Sequence, residues 1–270
     1  MDRIIIKEIY MKELDRKRNI RIYLPLDYYE NENKRYPVIY MHDGQNLFDH
    51  QLSYSGHSWE VKETLDRMQE NGEIEGFIVV GIDNNQEGFK RLDEYSPWKN
   101  EEIESLLERG IKDGAGGEGK EYAEFIVKTL KPYIDENFRT LSDRENTIVA
   151  GSSMGGFISL YIGFKYQDVF SKIGAFSTAA WFKEGELLEF LREEGQREEM
   201  KVYLDIGTEE TSNDNEPNFK DYYINGTIRI YETLCEFMDK QNIKLIIDEG
   251  ATHSEIHWAK RFPEFIRFIK

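Results

Sequence analysis

The stretch Asn146-Thr147-Ile148-Val149-Ala150-Gly151-Ser152-Ser153-Met154-Gly155-Gly156-Phe157 decides the fold. Residues 145–150 read as a short strand, apolar on both sides and therefore buried on both faces. From Phe157 onward Leu160, Tyr161 and Phe164 return at three- and four-residue spacing, which predicts a helix over 154–165. Between the two, glycines stand two residues before and two residues after Ser153. A chain that turns from strand to helix so sharply passes close to itself, and those two positions have no room for a side chain. Ser152 fits no such register, so Ser153 is the candidate nucleophile. A bare match to this pattern arises by chance in glycine-rich chains; the strand before it and the helix after it make it count.

Outward from this point the chain alternates. Toward the amino end, 3–10, 18–24 and 36–42 are rich in Ile, Val and Tyr and read as strands, the first two joined by the polar hairpin Lys12-Glu13-Leu14-Asp15-Arg16-Lys17. Ser58 is placed to cap a helix over 59–71, and Gly76-Phe77-Ile78-Val79-Val80-Gly81-Ile82-Asp83 reads as a strand. A helix follows over 119–137, kinked or restarted at Pro132. Beyond the central stretch, strands are expected at 171–177, 200–206 and 243–248, and helices at 219–241 and 257–269. Two segments, 84–118 and 178–199, read as long irregular connections and as walls of a cleft. Strands alternating with helices imply a mostly parallel sheet covered on both faces, here with an antiparallel start. The expected fold is a single α/β domain over 1–270.

Composition narrows the function. The 270 residues are 39% hydrophobic and 13% aromatic, enough to fill one large core, and carry a formal net charge of −17. That charge repels phosphate backbones and anionic membrane surfaces, so neither nucleic acid nor membrane is an expected partner. No run approaches the ~20 apolar residues needed to span a bilayer. Met1 to Glu8 lacks the pattern of a secretory leader, which gives a cytoplasmic expectation. The single cysteine, Cys235, excludes an internal disulfide framework and reads as a small core residue of the 219–241 helix. Homo-oligomerisation is compatible with the sequence.

A serine on such a turn needs a base and an acid, and in this arrangement they follow it in the order acid, then histidine. His253 lies in the loop after the last strand; His257 falls in the first turn of the final helix. The acid must accept a hydrogen bond from the histidine Nδ1–H. After the strand ending in Asp205-Ile206-Gly207, three carboxylates, Glu209, Glu210 and Asp214, meet that requirement equally.

These residues resemble the "Putative esterase" family of the α/β-hydrolases, which includes feruloyl and acetylxylan esterases, S-formylglutathione hydrolases and trilactone siderophore esterases. The matching stretches are Tyr40-Met41-His42-Asp43-Gly44-Gln45-Asn46-Leu47-Phe48-Asp49, Arg91-Leu92-Asp93-Glu94-Tyr95-Ser96-Pro97-Trp98, and Leu130-Lys131-Pro132-Tyr133-Ile134. The Gly151–Gly156 turn, Asp205–Glu210, and Gly250-Ala251-Thr252-His253 with Trp258 complete the match, which spans roughly 35–270. The resemblance implies a serine esterase acting through an acyl-enzyme, on acyl esters of carbohydrates of feruloyl or acetyl type, or alternatively on a siderophore trilactone or a formylglutathione-type thioester. It implies Glu210 as the acid, through a Gly-Thr-x-[Asp/Glu] pattern. It implies an oxyanion hole of two backbone N–H groups, one from Met154 and one from Gln45 or Gly44. No cofactor is implied.

Other signals carry less. Gly114-Ala115-Gly116-Gly117-Glu118-Gly119-Lys120 fits two nucleotide-loop patterns, but a helix-like segment precedes it and Glu121 replaces the hydroxyl a phosphate loop needs. His42, Asp43, Asp49, His50 and His57 match no zinc spacing, so no metal is expected. Phe48, Trp98, Trp181 and Trp258 are candidate substrate-binding residues, as walls for an acyl or sugar group, against the alternative that they pack the core. A non-catalytic binding module on the same fold remains a rival of a different class.

Overall fold

The computed structural model describes residues 3–270; Met1 and Asp2, which belong to the leader reading, lie outside them. Eight strands form one sheet in the order β1-β2-β4-β3-β5-β6-β7-β8. They are β1 (Ile4–Met11), β2 (Arg16–Tyr23), β3 (Val38–His42), β4 (Ile78–Ile82), β5 (Thr147–Ser152), β6 (Lys172–Phe176), β7 (Lys201–Gly207) and β8 (Ile243–Asp248). The hairpin β1–β2 and the β2–β4 pair are antiparallel; from β4 through β3 to β8 every pair is parallel. This is the α/β-hydrolase fold, mostly parallel with an antiparallel start.

The helices are α1 (Val61–Glu70), α2 (Lys90–Glu94), α3 (Ile103–Leu107), α4 (Gly119–Glu124), α5 (Lys131–Asn137), α6 (Met154–Lys165), α7 (Glu184–Glu194), α8 (Phe219–Cys235) and α9 (Glu255–Ile269). The sheet separates two apolar layers. One holds Tyr40, Phe125, Phe157, Leu160 and Phe164; the other holds Trp59, Leu65, Phe176, Phe262 and Phe265. Helix α6 is buried from Met154 to Phe164 on all sides, and each large apolar side chain sealed there contributes about 1.5–3 kcal/mol.

Of four local readings, three differ from the structure. Ser58 does not cap α1: the cap is Glu60 with φ 50°, and the Ser58 hydroxyl instead accepts the Glu60 N–H at 3.2 Å. The 119–137 helix restarts at Pro132, as its sequence predicts. A π-helical stretch, Phe125–Leu130, joins α4 to α5 and Pro132 falls in the first turn of α5, where a missing N–H costs little. The 178–199 segment contains α7, whose Leu187 and Leu191 are buried one turn apart. Finally, α8 ends at Cys235, because Glu236 and Phe237 tighten onto Thr233 and Leu234 with three-residue bonds. Cys235 is half-buried against the core. Among the described residues no helix is long and apolar enough to cross a membrane.

Candidate active site

Parallel strands direct their carboxyl ends to one edge of the sheet, and ligands of such folds bind there. At this edge lie Asp43–Asn46 after β3, Ser153 after β5, Ser177 after β6, Glu210 after β7 and His253 after β8. Ser153 has φ 59° and ψ −123°, a backbone state that costs a non-glycine residue roughly 1–3 kcal/mol. It is held from both sides. Its N–H donates to the Phe176 carbonyl at 2.9 Å, and its carbonyl accepts from Phe157 and Ala179, both at 3.1 Å. A Cβ on Gly151 would lie 2.8 Å from the Gly155 carbonyl carbon and 2.9 Å from the His42 ring, so only glycine fits.

The His253 Nδ1 lies 2.7 Å from Glu210 Oε2. The other oxygen, Oε1, accepts the Gly207 N–H at 2.7 Å and the Ser177 hydroxyl at 2.5 Å. The Ser177 oxygen in turn accepts from Trp258 Nε1 at 2.8 Å and Arg261 at 3.0 Å. Burial alone would push the Glu210 carboxyl up. The bonds from His253 and Ser177 and the nearby Arg261 charge outweigh it, and the group lies below its ordinary value. The other two carboxylates point outward: Glu209 is exposed and paired with Lys220, and Asp214 is exposed. Position is fixed by stitching between the two loops, with Thr208 N–H on the Asp248 carbonyl, Glu209 N–H on Ala251, and Gly250 N–H on the Thr208 hydroxyl. His257 is turned into its own helix start, its Nδ1 3.1 Å from the Thr252 N–H and from the Ser254 hydroxyl.

With Nδ1–H directed at a carboxylate, His253 Nε2 carries the free lone pair. It lies 3.3 Å from the hydroxyl of Tyr223, which is fully buried on α8. That hydroxyl also sits 2.6 Å from Ser212 Oγ. Burial pushes the phenol up to about 12, with the Ser212 hydrogen bond opposing it.

Met154 is the first residue of α6 and its N–H has no intrahelical carbonyl to bond. Gly44 and Gln45 open a 3₁₀ turn closed by Asn46 and Leu47, so their N–H groups likewise lack a partner within it. At Gly44 a Cβ would lie 2.5 Å from the Gly81 backbone on β4. Beneath, Asp43 is gripped by Arg91 at 2.7 and 2.8 Å and by Asn84 at 2.6 Å, and gives its N–H to Tyr95.

Of the four aromatic candidates, Trp181 stands against Tyr223, ring centres 5.9 Å apart. Trp258 is buried and serves Ser177 and the edge of His253. Trp98 packs with Phe157, Tyr161 and Phe190, and Phe48 lies over Tyr23; both satisfy the packing alternative. The Gly114–Lys120 loop pairs with Asn100 through Ala115 instead of facing a helix-capped phosphate site. Sequence reasoning missed Ser177, Tyr223 and Arg261. Only Arg261 left a signal, a charge on the apolar face of α9 between Trp258 and Phe265.

Comparisons with known proteins bear on the family and the fold. The chain is 27% identical over 255 residues to the uncharacterized protein YbbA of Bacillus subtilis, covering 93% of this chain and 92% of that one. It is 26% identical over 171 residues to an endo-1,4-beta-xylanase/feruloyl esterase of Xylanibacter ruminicola, covering 60% of this chain but 20% of that protein. An IroE-like serine hydrolase from Shewanella oneidensis shares the fold, with a TM-score of 0.76 at 23% identity over 98% of this chain and 79% of that one. The family model described as "Putative esterase" matches residues 11–269; the chain belongs to that family and is a carboxylic ester hydrolase.

Proposed function

We propose that the chain is a serine esterase in which Ser153 attacks the ester carbonyl, His253 takes the serine proton, and Glu210 holds the imidazole in the tautomer that leaves Nε2 basic. The N–H groups of Met154 and of Gln45 or Gly44 receive the oxyanion, aided by the amino-terminal end of α6. Collapse of the tetrahedral intermediate releases the alcohol, and water then cleaves the acyl-enzyme by the same route. The substrate class is an acyl ester of a carbohydrate, feruloyl or acetyl in type, taken as a small molecule or oligosaccharide.

The observation that carries this reading is the Ser153 backbone at φ 59°, at the same sheet edge as an imidazole whose Nδ1 is bonded to a buried carboxylate. The feruloyl esterase among the relatives favours the carbohydrate-ester substrate. The test is labelling with a fluorophosphonate followed by peptide mapping, with hydrolysis of an acetylated and a feruloylated sugar measured alongside. Modification at Ser153 and turnover of either ester is the expected result. A protein that neither labels nor turns over would be the binding module instead.

A further inference from the structure

His253 Nε2 must hand its proton to the departing alcohol, so whatever stands beside Nε2 borders the alcohol half of the ester. One polar group stands there, and two more lie against its side chain. The Tyr223 hydroxyl is 3.3 Å from Nε2, and Ser212 Oγ is 2.6 Å from that hydroxyl. Trp181 Nε1 is buried and makes no aligned hydrogen bond among the described residues, although it lies close enough to influence the phenol. A buried N–H without a partner costs about 1–3 kcal/mol, which is tolerable where a ligand supplies the acceptor. The phenol ring itself is fixed between Trp181, Phe219 and His253.

We propose that Tyr223, Trp181 and Ser212 form the subsite for the alcohol half of the substrate, with the Tyr223 hydroxyl donating a hydrogen bond to the departing oxygen. This rests on the serine-esterase reading above. As the tetrahedral intermediate collapses, the oxyanion electron pair re-forms the carbonyl and the bond to the alcohol oxygen breaks. The Nε2 proton moves to that oxygen. Tyr223 keeps its own proton throughout; its hydrogen bond strengthens as negative charge grows on the oxygen. Ser212 then donates its proton to the phenol oxygen, so a neighbouring hydroxyl of the alcohol can accept from the Trp181 N–H or donate to the Ser212 oxygen. Such help matters little for an activated phenol and much for an aliphatic alcohol, so the subsite selects esters of hydroxyl-bearing aliphatic alcohols.

The experiment keeps the acyl group constant and varies the alcohol: acetyl esters of 4-nitrophenol, phenol, ethanol and a monosaccharide, compared by kcat/KM, which reports acylation. Tyr223→Phe keeps the ring. Its loss on ethyl acetate should exceed its loss on 4-nitrophenyl acetate by roughly 10- to 100-fold, the worth of a hydrogen bond to a charged atom. The plot of log kcat/KM against alcohol pKa should steepen. Ser212→Ala and Trp181→Phe should lose roughly 3- to 10-fold on the monosaccharide ester alone. Should Tyr223→Phe fail to fold, the Ser212→Ala series decides. An equal loss on every ester, or none on any, overturns the subsite. Fluorophosphonate labelling of Ser153 separates the two levels: labelling with an unchanged slope removes this inference only, whereas wild type unlabelled at Ser153 removes the serine reading and this inference with it.

Discussion

Two histidines flank the Ser153 turn, and they are treated in opposite ways. His253, above it, has its side chain 15% exposed and Nδ1 directly on the Glu210 carboxylate. His42, beneath it, is 1% exposed, has Nδ1 2.8 Å from the Tyr122 hydroxyl, and leaves Nε2 without a hydrogen-bond partner among the described residues. A carboxylate stands next to His42 as well, but Asp43 is consumed by Arg91 and Asn84. Burial, then, pushes His42 down to about 3, with the Asp43 charge opposing and Arg91 assisting. Proximity to the nucleophile does not make a base. What makes one is an unspent carboxylate on the far nitrogen and a lone pair that a substrate can reach.

Substitutions can break that contrast outright. Ser153→Ala and His253→Ala should each lower kcat by roughly 10⁵- to 10⁶-fold with little change in melting temperature, as for hydrolases whose triad members act as a unit. His42→Asn should instead keep kcat within about tenfold and lower the melting temperature, because its loss is one of packing against Gly151. Equal kinetic losses at the two histidines would end the distinction. The next effect down is the acid. Glu210→Gln should cost about 10³- to 10⁴-fold: Gly207 and Ser177 keep the amide oxygen, so the NH2 faces His253 Nδ1 and favours the wrong tautomer. Glu209→Gln and Asp214→Asn, both at exposed positions, should leave steady-state rates on the same ester within about twofold.

The sequence made the turn legible because its chemistry is local: the glycines at 151 and 155, the buried strand and the helix all fall within twenty residues. The order of serine, acid loop and histidine was legible because a serine on such a turn is followed along the chain by its acid and then its histidine. Choosing among Glu209, Glu210 and Asp214 was not a property of the residues themselves, since it depends on backbone bonds between the 207–210 and 248–251 segments. Ser177, Arg261 and Tyr223 reach the site from three separate elements. An aromatic on a helical stripe such as Tyr223 reads as core, which it also is. Helix α7 escaped because its apolar repeat is short and Gly185 sits in its first turn.

A third prediction acts through the ion pair that keeps Asp43 from serving His42. Arg91→Leu should lower unfolding stability by about 3 kcal/mol in urea titrations, since it strands a buried carboxylate with only Asn84 beside it. With Arg91 gone, Asp43 faces His42 uncompensated, and the histidine should protonate at a higher pH, visible as a shifted imidazole resonance.

The smallest effect tests the two sides of the site against each other through pH. Below the turn, His42 accepts a proton near its ordinary 6.5 when unfolded but only near 3 when folded. Between those values the unfolded chain binds more protons, so this group removes stability as pH falls, by up to about 1.4 kcal/mol per pH unit. Above the turn, burial raises Asp205 from 3.8 to about 6 despite the Arg261 charge. Between 3.8 and 6 the folded chain binds more protons at Asp205, so this group adds stability as pH falls through the same range. In wild type the two contributions oppose each other from about pH 6 to pH 4. Asp205→Asn removes one of them and should steepen the acid-side loss of stability in urea unfolding at pH 6, 5 and 4; His42→Asn should flatten or reverse it. If both variants keep the wild-type slope, neither buried group titrates as its surroundings dictate, and the contrast between the two sides loses its electrostatic basis.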